Sequence, residues 1–133
     1  MPLVHIYLRE GKSSSYLQGL GDGIHKAMME SWGIPKNDKF QIIHEKKAEH
    51  FSINPQAYLD GEGVQRTDDV VVIQITTSMR SIHQKQAFYR RLTELLGEGI
   101  NLIPANVFVN ILMVDEEDWC LGLGKMTLID RLR

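Results

Sequence analysis

Ile34-Pro35-Lys36-Asn37 is answered 69 residues later by Ile103-Pro104-Ala105-Asn106, and this echo decides the fold. Before the first motif, apolar residues recur at Leu17, Leu20, Ile24, Ala27, Met28 and Trp32. That is the spacing of one helical face. The helix runs from about 14 to 32, with Ser13 to Ser15 offering N-caps, Gly33 at its end and Pro35 preventing resumption. Before it lies the branched and aromatic run Leu3–Leu8, a strand closed by the turn Arg9-Glu10-Gly11-Lys12. After it comes the strand Phe40–His44.

The second copy follows the same order. Val70–Thr76 is the most apolar strand and reads as central. Ser81 and Gln84 form a capping-box pattern. The helix they open carries Ala87, Phe88, Leu92, Leu95 and Leu96 inward and stops at Gly97. Val107–Val114 is the last strand. Residues from about 45 to 68 form a polar connection with a short strand at His50 to Ile53, and Asp115 onward is a tail with a short amphipathic end.

Two β-α-β units side by side give an α+β fold: a four-stranded sheet with both helices on one face. The pseudo-repeats span about 2–45 and 69–115, followed by a tail at 116–133, all within one domain at 1–133. The other sheet face keeps several apolar positions, and a symmetric oligomer is the simplest way to cover it. Gly19, Gly21 and Gly23 weaken the first helix by up to about 1 kcal/mol each. They mark places where another backbone or a partner subunit comes close.

The chain has 133 residues, 43% of them hydrophobic, enough for one core and too few for two ordinary domains. Its net charge of −2 and pI near 6.2 supply no basic footprint for nucleic acid. No apolar run approaches a membrane span, and Met1-Pro2 opens no signal peptide, so a cytoplasmic protein is expected. The single Cys120 can form no internal disulfide and reads as buried or half-buried.

Several motif-like stretches lead nowhere. Gly11-Lys12-Ser13 would need a further glycine at Ile6 to form a phosphate loop, and Gly122-Leu123-Gly124-Lys125 would need one at Trp119. Gly19-Leu20-Gly21-Asp22-Gly23 lies within a helix and lacks the third dinucleotide glycine. His44 and His50 fit no metal spacing. No metal and no cofactor is expected.

Three features remain. Aminopeptidases remove Met1 when a small residue such as Pro2 follows, leaving a secondary amine. An α-amino group has a reference pKa of about 8 and can act as a base near neutrality once burial or cations lower it. Arg80 follows the central strand and precedes a helix N-terminus, a good position for binding a carboxylate; an exposed helix-flanking cation is the simpler alternative. Asp38 breaks the repeat, since its counterpart is Val107. It is either a functional carboxylate or a turn residue.

Pro2-Leu3, Glu10-Gly11-Lys12-Ser13, Gly33-Ile34-Pro35-Lys36-Asn37-Asp38, Arg80-Ser81 with Gln84-Lys85, and Asp118-Trp119 with Gly122 and Gly124 together resemble the tautomerase superfamily. The match is best to its malonate semialdehyde decarboxylase-like branch. The resemblance implies the tautomerase fold, with a four-stranded mixed sheet and a homotrimer. It implies Pro2 as acid/base, Arg80 as the group binding a substrate carboxylate or carbonyl oxygen, and Asp38 as the group orienting water, a carbonyl or the Pro2 amine. Trp119 and Leu121 would wall the pocket. Ser78, also placed with the substrate-binding residues, stands where the decarboxylases carry the first arginine of Arg-x-Arg, and Lys12 replaces a common arginine. The implied activity is keto-enol tautomerisation of a small 2-oxo acid or related carbonyl acid. The alternatives are decarboxylation or hydration of a 3-oxo acid, and an inactive binding or structural oligomer.

Overall fold

A computed structural model describes residues 1–131; Leu132 and Arg133, the end of the tail, lie outside the described residues. The first unit is β1 (Pro2–Arg9), α1 (Ser14–Trp32) and β2 (Gln41–Lys46), and the second is β3 (Val71–Thr77), α2 (Ile82–Ile100) and β4 (Val107–Met113). A four-residue helix, α3 (Thr127–Asp130), closes the described chain, and short 3-10 turns stand at Ala48–His50, Pro104–Asn106 and Glu116–Asp118. Strand order is β2-β1-β3-β4. β1 runs parallel to β2, and β3 runs parallel to β4. The two units meet antiparallel, with Pro2 opposite Thr77 and Tyr7 opposite Val72. The sheet is therefore mixed.

Strand alternation assigns the two faces. Val4, Ile6 and Leu8 of β1 and Val71, Ile73 and Ile75 of β3 are buried, and they pack with Leu20, Ile24 and Met28 of α1 and Phe88, Leu92 and Leu96 of α2. Both helices thus cover one face. The opposite face presents Leu3, His5 and Tyr7 of β1, Ile42 and His44 of β2, Val72 of β3, and Phe108 and Leu112 of β4. Its outer strands are open, with Ile42 at 45% and Leu112 at 60% exposure. On this face His5 Nδ1 and His44 Nε2 lie 2.8 Å apart, and Tyr7 stacks on His44 at 4.5 Å.

Both helix starts are as the sequence indicates. The Ser13 hydroxyl accepts from the Tyr16 N–H, and Ser81 with Gln84 forms a complete capping box. The end of α2 is different. It passes Gly97 and continues to Ile100, with Asn101 left-handed at φ 56°. The Leu102 N–H then donates to the Leu96 carbonyl at 3.2 Å, and Leu102 is buried, so the hydrophobic closure lies beyond the first glycine.

Within the chain, the glycines of α1 admit side chains rather than a backbone. A Cβ at Gly19 would meet Ile100 Cγ2 at 2.9 Å, and one at Gly23 would meet Leu96 Cδ2 at 2.8 Å. One at Gly21 would meet the Gln41 amide, whose Nε2 donates to the Gly21 carbonyl. Where a strand was expected at His50 to Ile53, the chain makes a local 3-10 turn closed by the His50 N–H on the Lys47 carbonyl. Cys120 is exposed rather than buried, since it sits on the tail. No helix among the described residues is long and apolar enough to cross a membrane.

Candidate active site

The antiparallel meeting of the two units decides where the candidate residues go. Because Pro2 pairs with Thr77, the start of β1 lies beside the carboxyl end of β3, where the chain turns through Ser78 and Met79 to Arg80. The Val4 N–H donates to the Phe40 carbonyl, so the approach to β2, with Asp38, runs along the other side of Pro2. A cavity of about 790 Å³ opens at this junction, lined among others by Met1, Asp38, Phe40, Ser78, Arg80 and Leu121. That volume is ample for a small ligand.

Each wall has a local cause. On the Asp38 side, Gly33 takes a left-handed φ of 68° and ends α1, and buried Ile34 wedges the following chain into the core. The Asp38 N–H closes the turn on the Pro35 carbonyl at 3.0 Å. His25, buried on α1, donates from Nε2 to the Lys36 carbonyl at 2.8 Å. The turn is thus tied to the helix, and Asp38 is half-buried.

Three elements meet Arg80, and a fourth is tied in through Trp32. Its backbone N–H reaches Met113 Sδ at the end of β4, 3.3 Å away. Its Nε donates to Thr77 Oγ1 at the end of β3, also 3.3 Å away. The guanidinium lies over the Trp32 ring at the end of α1, 5.0 Å from the centroid. Trp32 Nε1 in turn donates to the Gln84 carbonyl in the first turn of α2. Trp32 is a positioning residue that the helical spacing reveals only as core.

Burial foremost lowers the pKa of the Met1 ammonium from its ordinary value, and Arg80 and Arg131 add to this, while Asp38 and Glu116 oppose it. The Pro2 nitrogen is one residue further along, less than about 4 Å by backbone geometry, within the same field. Burial also lowers the pKa of Arg80 and nearby Asp38 raises it. A guanidinium is so strongly basic that Arg80 stays a cation.

The structure thus gathers the start of β1, Asp38, Ser78, Arg80 and Leu121. Trp119 is the exception: it is buried and does not border the cavity, because it serves as an anchor beneath the tail, its carbonyl accepting from the Thr127 N–H at 3.2 Å. The tail also brings Asp115, Glu116, Leu128 and Arg131 to the cavity wall, and no spacing in the sequence signals these. Lys12 of the glycine-lysine-serine turn is engaged with Asp69 at 2.6 Å. Among the described residues no cluster of three or more His, Cys, Asp or Glu side chains could hold a metal.

A family model described as "Tautomerase enzyme" matches residues 38–122, and a second with the same description matches residues 2–58. The chain is 35% identical over 125 residues to the probable tautomerase YrdN of Bacillus subtilis, covering 94% of both chains. To the probable tautomerase YusQ of the same organism it is 34% identical over 131 residues, covering 98% of this chain and all of the other. Among solved structures it resembles malonate semialdehyde decarboxylase at 25% identity and a TM-score of 0.89, covering 98% of both chains. It also resembles FG41 malonate semialdehyde decarboxylase inhibited by 3-bromopropiolate, at 27% identity and a TM-score of 0.88, covering 98% of this chain and 97% of that one.

Proposed function

We propose that this chain, which belongs to the tautomerase superfamily in its malonate semialdehyde decarboxylase-like branch, catalyses keto-enol tautomerisation of a small carbonyl acid with Pro2 as acid/base. The observation that carries the reading is the cavity itself, in which the amino terminus meets Asp38 and Arg80. Removal of Met1 would expose the Pro2 nitrogen there as a secondary amine. With Met1 retained that nitrogen is an amide without a basic lone pair.

The neutral Pro2 amine takes the proton of an enol hydroxyl, and the electron pair left on oxygen forms the carbonyl. The carbon-carbon π pair then takes a proton back from the Pro2 ammonium at the neighbouring carbon. Arg80 stabilises the oxyanion in between, an effect often worth about 3 kcal/mol for one well-placed donor. Asp38 favours the protonated amine and orients it, while burial and Arg80 favour the neutral base.

The overall likeness to two malonate semialdehyde decarboxylases supports a second reading, decarboxylation or hydration of a 3-oxo acid by the same residues. Ser78 beside Arg80 leaves that turn with one guanidinium, which favours tautomerisation. For assembly we propose a homotrimer formed through the open sheet face. Exposed Ile42, Phe108 and Leu112 support this, and a fused 4-OT of similar fold is a trimer.

The deciding experiment sets phenylenolpyruvate ketonisation beside malonate semialdehyde decarboxylation, using protein whose amino terminus has been read by mass spectrometry. Turnover of the enol, together with labelling of Pro2 by 3-bromopropiolate that speeds up with pH, is the expected outcome. Failure on both substrates sinks the substrate class, and unlabelled Pro2 in an active enzyme sinks its role.

A further inference from the structure

Arg80 is not the only guanidinium at the cavity, since Arg131 lines it together with Ser78, Leu121 and Asp38. It arrives from the opposite end of the chain, and the reason lies in how the tail is tied. After β4 the Val114 N–H donates to the Thr77 carbonyl at 2.9 Å, which keeps the chain at the end of β3. Trp119 and Leu128 are both buried, and the Thr127 N–H on the Trp119 carbonyl ties the two halves of the tail together. Between them the loop reverses through Gly122 at φ 127°, Leu123 at φ 63° and Gly124 at φ 65°. The Leu121 N–H then donates to Thr127 Oγ1 at 2.9 Å, and the Asp130 N–H to the Met126 carbonyl at 2.8 Å. α3 therefore returns to the cavity, and Arg131 follows directly after it. Its charge already acts on the amino-terminal amine in the sense expected of a nearby cation.

From this arrangement we infer that Arg131 holds the carboxylate of the substrate while Arg80 faces its carbonyl oxygen, so that the site selects small monocarboxylates bearing an adjacent carbonyl. The inference rests on the tautomerase reading for the role of Arg80. The two arginines have different mechanical characters, which suits the division of work. Arg80 is clamped by Thr77, Trp32 and the ends of two strands, as a group that stabilises a developing oxyanion must be. Arg131 is exposed at the end of α3, which suits a carboxylate that is charged before and after reaction and needs only positioning. Asp115 and Glu116 also line the cavity with Asp38. With Arg131 and Arg80 both engaged, a second anionic group would meet only these carboxylates, so a dicarboxylate would be disfavoured.

The test uses unreactive probes and NMR titration of the enzyme. Phenylacetate should bind the wild type, and Arg131→Met should weaken it by about tenfold or more, the scale of a lost charge-assisted contact. Arg131→Lys should recover most of the affinity, phenylacetamide should bind wild type and Arg131→Met alike, and phenylsuccinate should bind more weakly than phenylacetate. Unchanged phenylacetate affinity in Arg131→Met, equal loss for phenylacetamide, phenylsuccinate binding tighter than phenylacetate, or no phenylacetate binding to the wild type overturns the inference. Arg131-dependent binding in a protein that turns over no enol leaves this inference standing and removes the proposed function. Turnover with binding indifferent to Arg131 does the reverse.

Discussion

Replacing Arg80 by methionine keeps an unbranched apolar stem and deletes the charge and donors. The structural cost is small. The Nε bond to Thr77 Oγ1 is 3.3 Å long, so it is at the weak end, and the stacking on Trp32 is worth about 0.5–2 kcal/mol. Relief of the burial penalty on the charged group offsets part of this, so the net loss of stability should be about 1 kcal/mol. A domain of this size has about 5–15 kcal/mol in hand, and the variant should be folded. The catalytic cost should be much larger, about 10²–10³ in kcat, or about 2.7–4 kcal/mol, because the oxyanion loses its fixed donor. Urea denaturation and phenylenolpyruvate ketonisation separate the two effects. Arg80 also lowers the pKa of the terminal amine. Its removal should therefore raise the pH below which the base is protonated, moving the acid limb of kcat/KM to higher pH. A folded Arg80→Met enzyme within about fivefold of wild type in kcat/KM refutes the assignment, since even a modest oxyanion contact exceeds that.

Asp38→Asn should move the acid limb the other way, to lower pH, because the carboxylate raises the amine pKa and its neutral isostere does not; a pH-rate profile reads this directly. Leu92→Ala should cost about 2–5 kcal/mol by urea denaturation, as Leu92 is fully buried between sheet and helices. Two glycines of one sequence type should part company in the same assay. Gly99→Ala meets nothing within 4 Å and should gain up to about 1 kcal/mol, whereas Gly23→Ala presses on buried Leu96 Cδ2 at 2.8 Å and should lose about 1–3 kcal/mol. Leu112→Lys, on the open sheet face at 60% exposure, should lower the mass seen by sedimentation from three chains toward one, with the circular dichroism unchanged.

The two β-α-β units were legible in the order of residues alone, since hydrophobic periodicity and end signals act over a few neighbouring residues. Leu17 to Trp32 followed by Gly33 and Pro35 specify a helix and its end without help from the rest of the chain. Ser81 with Gln84 does the same for a helix start. The doubled Ile-Pro-x-Asn motif was equally legible, and with it the break in symmetry at Asp38. Local signals misjudged the end of α2, because a glycine read alone cannot report that Leu102 closes the helix five residues later.

How the units meet was not legible in either one alone. Their antiparallel pairing across β1 and β3 is a long-range choice, and it sets the amino terminus beside Arg80 and Asp38. The clamp of Trp32 on Arg80 joins residues from different units. The return of Arg131 and the displacement of Trp119 from the cavity depend on how the tail crosses the end of the sheet. Contacts of this kind are made by burial between distant segments, and no periodicity in one segment encodes its partner.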